Sequence, residues 1–555
     1  YQGKPGIGFG KRGQFLDAQI IPAEHIYTAE GIGCSVQEKY LWFFIGLLNS
    51  SLFQYIINLY CGQHKSTEYV NLFPCVDLEK IDPNIITTIT KSTKLIWECK
   101  HQWNCMDETS PYFCGLLSFN NGLNIKQYAE LHWELLSRLN FEINNATAEI
   151  ESAYFYIYQI KNDDKYRINH FCKNKPEDSI MIGLSLSYED FIVIFLSKLA
   201  SIYIGYVFGR WDFRINHDKY PSFAVHDPLS SIPIFQPGSL RNSEGRAASS
   251  GCIVSEEWLC AQPDAKSLPP EGRVKNSTIS DEEYPIRISW DGVLVDDAFV
   301  AEGHTHKEDV LRRIREVFEV FWGERSEAIE QEACEILGVK SLRDYFRKPS
   351  GFFQDHLKRY SKSRRQAPIY WPLSSENGNY TLWIYYHRLT DQLLYTCIND
   401  YVTPRIEEVT KDIERLQKHQ TPATIKVSNL SKQEVLQDFL LELKTYRDEL
   451  LRVAQLPYKP DLNDGVIITA APLWKLFRLP KWRMDLKACW DKLEAGDYDW
   501  AHLALAIWPD RVRAKCVTDK SLAIAHDLEE LFDESLAPKH KYKKPPSEAD
   551  EEEAE

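Results

Sequence analysis

The chain of 555 residues has no C-x-x-C pair, although it carries 13 cysteines. Scattered and odd in number, they read as reduced cytosolic thiols, neither a disulfide framework nor a zinc ribbon. Positive charge is also short: 65 Lys and Arg face 80 Asp and Glu, a net charge of −15, so any nucleic-acid contact has to come from a local patch. No G-x-S-x-G, H-E-x-x-H, Walker lysine loop or EF-hand spacing occurs, so the common hydrolase, metalloprotease, P-loop and calcium-loop chemistries have no motif here. No signal peptide is recognisable at Tyr1, and that start reads as a fragment whose beginning is missing. Residues 40–60 and 191–208 are apolar, but Asn49, Ser50, Gln54 and Lys198 interrupt them. Buried helices of a soluble, cytoplasmic protein are expected, with no membrane partner.

What is present is an ordinary globular composition, 44% hydrophobic and 26% charged, long enough for roughly three to four domains. Helical spacing covers residues 83–100 and 123–160, and the most apolar helices are expected over 36–59 and 189–208. Residues 237–285 turn rich in Ser, Gly, Pro and Ala and read as a linker or mobile insertion. Beyond it, Val310, Ile314, Val317, Phe318 and Phe321 recur at helical spacing, with Gly338 as the stop. The expected class is α+β, mostly helical. Its parts are a mixed α/β region with buried helices (1–236), the linker, a mixed α/β region with a basic cluster (286–403), a helical hairpin that braces something else (404–456), a helical region (457–536) and a disordered tail (537–555).

Gly8-Phe9-Gly10-Lys11-Arg12-Gly13 fits G-x-G-x-x-G, but Pro22 follows in place of a long helix, so a cofactor fingerprint is not expected. The loop can instead bring Lys11 and Arg12 to a phosphate, or be a surface hairpin. The densest basic run lies in residues 340–365, where Lys340, Arg343, Arg347, Lys348, Lys358, Arg359, Lys362, Arg364 and Arg365 face Asp344 and Asp355. Tyr345, Phe346, Phe352, Phe353, Tyr360, Tyr370 and Trp371 interleave. The pattern suits a polyanion, or a solvated face whose cations pair with the acidic stretch at Glu324 to Glu335. Arg210-Trp211-Asp212 reads as an internal Arg–Asp pair under a Trp lid, and His304 and His306 lack the further ligands a metal would need. No catalytic or metal-binding residue is assigned.

Several words in the second half go further. They include Ala328-Ile-Glu-Gln-Glu-Ala-Cys-Glu-Ile-Leu-Gly338, Gly351-Phe-Phe-Gln-Asp-His356, Tyr380-Thr-Leu-Trp-Ile-Tyr-Tyr386, Leu462-Asn-Asp-Gly-Val466 and Ile507-Trp-Pro-Asp-Arg-Val512. With Phe208-Gly-Arg-Trp-Asp212 and Trp290-Asp-Gly-Val-Leu-Val-Asp-Asp297, these words resemble the PglX family, the adenine-specific DNA methyltransferases of type 1 BREX phage-defence systems. Gly10-Lys-Arg-Gly13 and Leu47-Leu-Asn-Ser-Ser-Leu-Phe-Gln-Tyr55 resemble its target-recognition region, in which an Asn-Ser element opens a helix. The resemblance implies a catalytic domain with a glycine loop for S-adenosyl-L-methionine and an Asn-Pro-Pro-Tyr or Phe motif. No Asn-Pro-Pro occurs in this chain, so catalytic residues are not carried over and the cofactor is expected to bind outside it. The chain is expected to recognise and clamp double-stranded DNA, with Lys11, Arg12, Lys358, Arg359, Lys362, Arg364 and Arg365 as DNA-binding candidates. The alternatives are a non-catalytic module docking other BREX proteins, and a piece of a fused restriction–modification enzyme.

Overall fold

The computed structural model describes residues 3–23, 25, 31–110, 113, 122–172, 186–210, 286–300, 305–362, 365–418 and 427–536. The expected linker at 237–285 and the tail at 537–555 lie outside them. The fold is a mostly helical α+β one with small antiparallel sheets. It divides into two compact units, residues 1–288 with 314–342, and residues 289–313 with 343–555.

The first unit opens with strands β1 (Gly6–Gly10), β2 (Gln19–Ile21) and β3 (Gly31–Cys34), in the order β2-β1-β3 and antiparallel throughout. Helices α1 (Leu41–Asn49) and α2 (Ser51–Tyr60) follow, in place of the single helix expected over residues 36–59. The helix breaks at Ser50 with a bend of 64°. Ser50 turns extended, and its hydroxyl accepts from the Phe53 amide, capping α2. The break also frees two side-chain amides for the chain that follows β1. Asn49 exchanges two hydrogen bonds with the Ala18 backbone (3.1 and 2.9 Å), and buried Gln54 does the same with Leu16 (2.8 and 2.6 Å). Each amide stands in for a neighbouring strand and satisfies backbone groups that burial would otherwise leave unmet.

Helices α3 (Pro83–Asn104) and α4 (Ile125–Ile157), where helical spacing was expected, pack as a long antiparallel pair, with Ser92 on Glu149 and Cys99 on Glu142. Asp82 caps the first, and a reciprocal Asn124–Gln127 capping box opens the second. Gly46 lets α1 lie close to both, since a Cβ there would sit 2.6 Å from the Thr93 hydroxyl and 3.1 Å from the Tyr154 hydroxyl. At its far end α4 stops with Gln159 in the left-handed region (φ +52°), and the Ile160 amide donates back to the Phe155 carbonyl. That position is usually glycine. Replacing Gln159 with Gly is expected to stabilise the protein by about 0.5–1 kcal/mol, read as a higher urea midpoint; an unchanged midpoint would mean the glutamine is not strained.

Helix α5 (Asn162–Cys172) follows, and then α6 (Tyr188–Val207), which is long and apolar enough to cross a membrane. Its most apolar window is 72% buried within the protein, with Tyr203 packed on Phe318, Phe321 and Trp322. Those rings belong to α7 (Val310–Trp322), which Gly323 (φ +55°) separates from α8 (Ser326–Leu337). Gly338, at φ +63°, ends α8 as expected. On α8, Glu332 accepts from the Ile125 and Lys126 amides (3.0 and 3.2 Å), placing a carboxylate on the positive end of α4.

The second unit is built around β4 (Val293–Asp297), β7 (Tyr370–Ser374) and β8 (Tyr380–Tyr385), antiparallel in the order β4-β8-β7. Every residue of β4 and β8 is buried, so both faces of these strands are covered. Helices α9 (Leu342–Arg347) and α10 (Phe352–Arg359) precede a small hairpin, β5 (Ser361–Lys362) with β6 (Arg365–Gln366). Gly351 starts α10 where a Cβ would lie 2.1 Å from the Tyr345 carbonyl oxygen, a site open to glycine alone. The expected helical hairpin is α11 (Thr403–Lys418) with α12 (Val427–Ala454). From α12, Glu442 gathers Ser375, Asn377 and Asn379 at the β7–β8 turn, and Tyr446 donates to the Leu373 carbonyl, which ties α12 to the sheet. Burial alone would raise the Glu442 carboxyl, but hydrogen bonds from Ser375 and Asn379 hold it below the usual range. Helices α13 (Pro480–Ala495), α14 (His502–Ile507), α15 (Pro509–Cys516) and α16 (Lys520–Ala525) complete the unit.

Candidate nucleic-acid interface

In the first unit the glycines of the opening motif serve the sheet. A Cβ on Gly6 would meet the Cys34 carbonyl oxygen at 2.8 Å, and one on Gly8 would meet the Ile21 side chain at 2.8 Å. No helix follows the loop directly, so this loop does not fit the pyrophosphate or the S-adenosyl-L-methionine that such glycine patterns hold. Beyond β1, the Lys65 amide donates to the Lys11 carbonyl (2.7 Å), the Gly13 amide donates to the Gln63 carbonyl (2.9 Å), and Arg12 bridges His64. Arg12 is exposed on this pinned loop and Lys11 is half-buried. The brace behind them is Lys65, which the sequence reading missed. Its ammonium is buried and donates to the Asn58 side chain (3.1 Å) and the Gly62 carbonyl (2.9 Å), with the Cys61 Sγ at 3.8 Å. Burial draws this ammonium below the usual lysine range, partly offset by Cys61. Nothing in the local sequence marks Lys65, because its partners depend on how the chain turns after α2.

In the second unit the basic run separates into two groups. Arg343 donates to Asp296 (2.7 Å) and, through two bonds of 2.8 Å, to Asp309; Arg347 grips Asp296 at 2.7 and 2.8 Å. These guanidiniums are therefore structural, and their carboxylates come from β4 and from just before α7. The pairing with the acidic stretch at 324–335 does not describe them: there Glu330 binds Arg315 and Glu332 caps α4. The interleaved rings are core too, since Tyr345, Phe346, Phe352, Phe353, Tyr370 and Trp371 are all buried. Those six offer no exposed face for stacking, and Tyr360 is half-buried.

The second group faces water. Lys358 is 70% exposed, with Asp355 at a loose 3.9 Å, and Arg365 is exposed opposite Lys362 in the β5–β6 register. Arg359, half-buried, joins Lys358 in the last turn of α10, where the negative end of the helix dipole favours cations. Arg364 and the side chain of Lys362 lie outside the described residues. Lys358 and Arg359 thus share the last turn of α10, and Arg365 lies on β6, while Arg343 and Arg347 are held by carboxylates.

Two smaller readings resolve differently. Arg210 is internal, as expected, but its buried partner is Glu108 (3.4 Å), while Trp211 and Asp212 lie outside the described residues. Likewise His304 lies outside them, and His306 accepts the Glu308 amide on Nδ1 and leans on the Tyr401 ring.

No family model matches the chain. It is 29% identical over 179 residues to the adenine-specific methyltransferase BrxX of Escherichia coli O9:H4 (strain HS), a match covering 29% of this chain and 14% of that protein. It is 27% identical over 192 residues to the adenine-specific methyltransferase PglX of Lacticaseibacillus casei (strain Zhang), covering 32% of this chain and 15% of that one. The matched region thus spans about a seventh of the length of these relatives. Over roughly a third of its own length, this chain is related to adenine-specific methyltransferases of the BrxX and PglX kind.

Proposed function

We propose that this chain recognises and clamps double-stranded DNA for a cytoplasmic N6-adenine methyltransferase that uses S-adenosyl-L-methionine in BREX phage defence. The relationship to two adenine-specific methyltransferases carries the reading. When bound, S-adenosyl-L-methionine supplies the methyl group, and we place its site outside this chain. The part played by these residues is electrostatic. Arg12 and Lys11 on the pinned loop, and Lys358, Arg359, Lys362, Arg364 and Arg365 around the hairpin, contact phosphates and set register, while base edges are read elsewhere.

Fluorescence anisotropy of a labelled duplex against the full chain tests this. With about five phosphate contacts, the log–log salt slope is expected near −4.5. Joint replacement of Arg359, Lys362, Arg364 and Arg365 by Ala is expected to weaken binding by a similar factor on every sequence. A loss that varied with sequence would move base readout to the hairpin, and no loss would remove the hairpin from the interface. The net charge of −15 favours a second reading, a module that docks other BREX proteins. Under it the folded chain shows no duplex affinity at low salt.

A further inference from the structure

A different cationic surface lies in the second unit. Trp474, half-buried just before α13, has three cations about its ring: Arg483 at 5.4 Å from the centroid, Lys487 at 5.7 Å and Lys475 at 5.9 Å. Arg483 and Lys487 stand four residues apart on α13, and both are exposed, as is Met484 between them (70%). Lys475 is drawn to Glu449 (3.5 Å) and Lys487 to Asp491 (2.9 Å), whereas no carboxylate among the described residues lies within ion-pair distance of Arg483.

Intramolecular pairing answers Lys475 and Lys487 but not Arg483. Like charges four residues apart cost a helix a few tenths of a kcal/mol, and the half-buried ring returns about 0.5–2 kcal/mol for a cation over it, so Arg483 stays on the surface with its charge unanswered by a carboxylate among the described residues. An anion placed among them would turn the repulsion into attraction. The partner's chemistry follows from the donors. A guanidinium held over an indole keeps its planar fork free for two phosphate oxygens, and the flanking ammoniums are point charges suited to the next phosphates of a chain.

We infer that the Trp474–Arg483–Lys487 surface binds the phosphodiester backbone of a nucleic acid, a contact additional to the loop and the hairpin. The inference rests on the DNA-clamping reading and assigns that partner a place on α13. The test is anisotropy with the full chain, a labelled duplex and several salt concentrations, comparing R483E/K487E with K358E/R365E. The expected result for R483E/K487E is affinity about tenfold lower and a salt slope shallower by about 1.8, two phosphate contacts' worth, at an unchanged unfolding midpoint. Should charge reversal lower that midpoint, R483Q/K487Q is expected to give the same change in slope. Duplex binding by the parent that R483E/K487E leaves intact overturns this inference alone and leaves the DNA reading standing. No duplex binding by the parent at low salt overturns both. Displacement of the duplex by polyglutamate as effectively as by unlabelled duplex overturns the choice of nucleic acid in favour of an acidic peptide.

Discussion

Replacing Asp296 with Ala is expected to lower the stability of the second unit by about 3–5 kcal/mol, the cost of breaking a buried ion pair from one side. Asp296 is fully buried on β4 and accepts three hydrogen bonds, one from Arg343 and two from Arg347. Those side chains are only 22% and 25% exposed, so water replaces the carboxylate poorly at either. Arg343 keeps Asp309, but Arg347 loses the partner that fixes α9 beside β4. A combined change of Asp296 to Leu and Arg347 to Leu, which leaves Arg343 on Asp309, is expected to recover much of the loss, since apolar residues of similar volume often replace a buried ion pair at little cost. Urea unfolding of the full chain, followed at the transition of the second unit, decides it. A shift under 1 kcal/mol for the Ala variant would mean that the cluster is solvated and Asp296 is no keystone.

The second large effect is on acid stability. His132 sits on α4 with Nδ1 donating to the Tyr128 carbonyl (2.9 Å), while its buried Nε2 has no hydrogen-bond partner, and the residue lines a cavity of about 30 Å³. Trp103, Met106, Phe191, Phe195 and Lys198 share that cavity. Burial is the main force that pushes the imidazole down to about 4 from 6.5, with the Lys198 charge adding to it. The folded state therefore keeps His132 neutral, and the unfolded chain takes up the proton first. Its contribution is complete above pH 6.5 and is lost as pH falls from there to about 4, a total of about 3 kcal/mol. The parent is expected to lose that much more than a His132→Phe variant between pH 7.5 and 4. Parallel curves would show that protonated His132 is accommodated without cost.

Much of the architecture was readable from local pattern. Apolar periodicity placed α3 and α4 to within a few residues at most ends, and Gly338 stopped α8 where a left-handed residue is needed. The break at Ser50 is hidden from periodicity, because residues 36–59 are apolar enough to read as one helix, though the resemblance placed an Asn-Ser element there that opens a helix. What decided it was the chance for Asn49 and Gln54 to satisfy Ala18 and Leu16, backbone more than thirty residues upstream.

The candidate interface shows the same division more sharply. Sequence alone could count the cations in residues 340–365 and note their aromatic neighbours, and it could carry the resemblance that the comparison with adenine-specific methyltransferases supports in part. It could not sort those cations. Arg343 and Arg347 meet carboxylates 34 to 51 positions away, brought to them by strand β4 and the chain leading into α7, whereas Lys358 and Arg365 are left facing solvent. Nor could it gather Lys475, Arg483 and Lys487 about one indole, since that depends on how α13 folds back over Trp474. Helix period and turn chemistry are properties of neighbouring residues and survive in the linear order. Whether a charge is spent inside the fold or offered outside depends on which distant segment desolvates it, and only tertiary packing makes that choice.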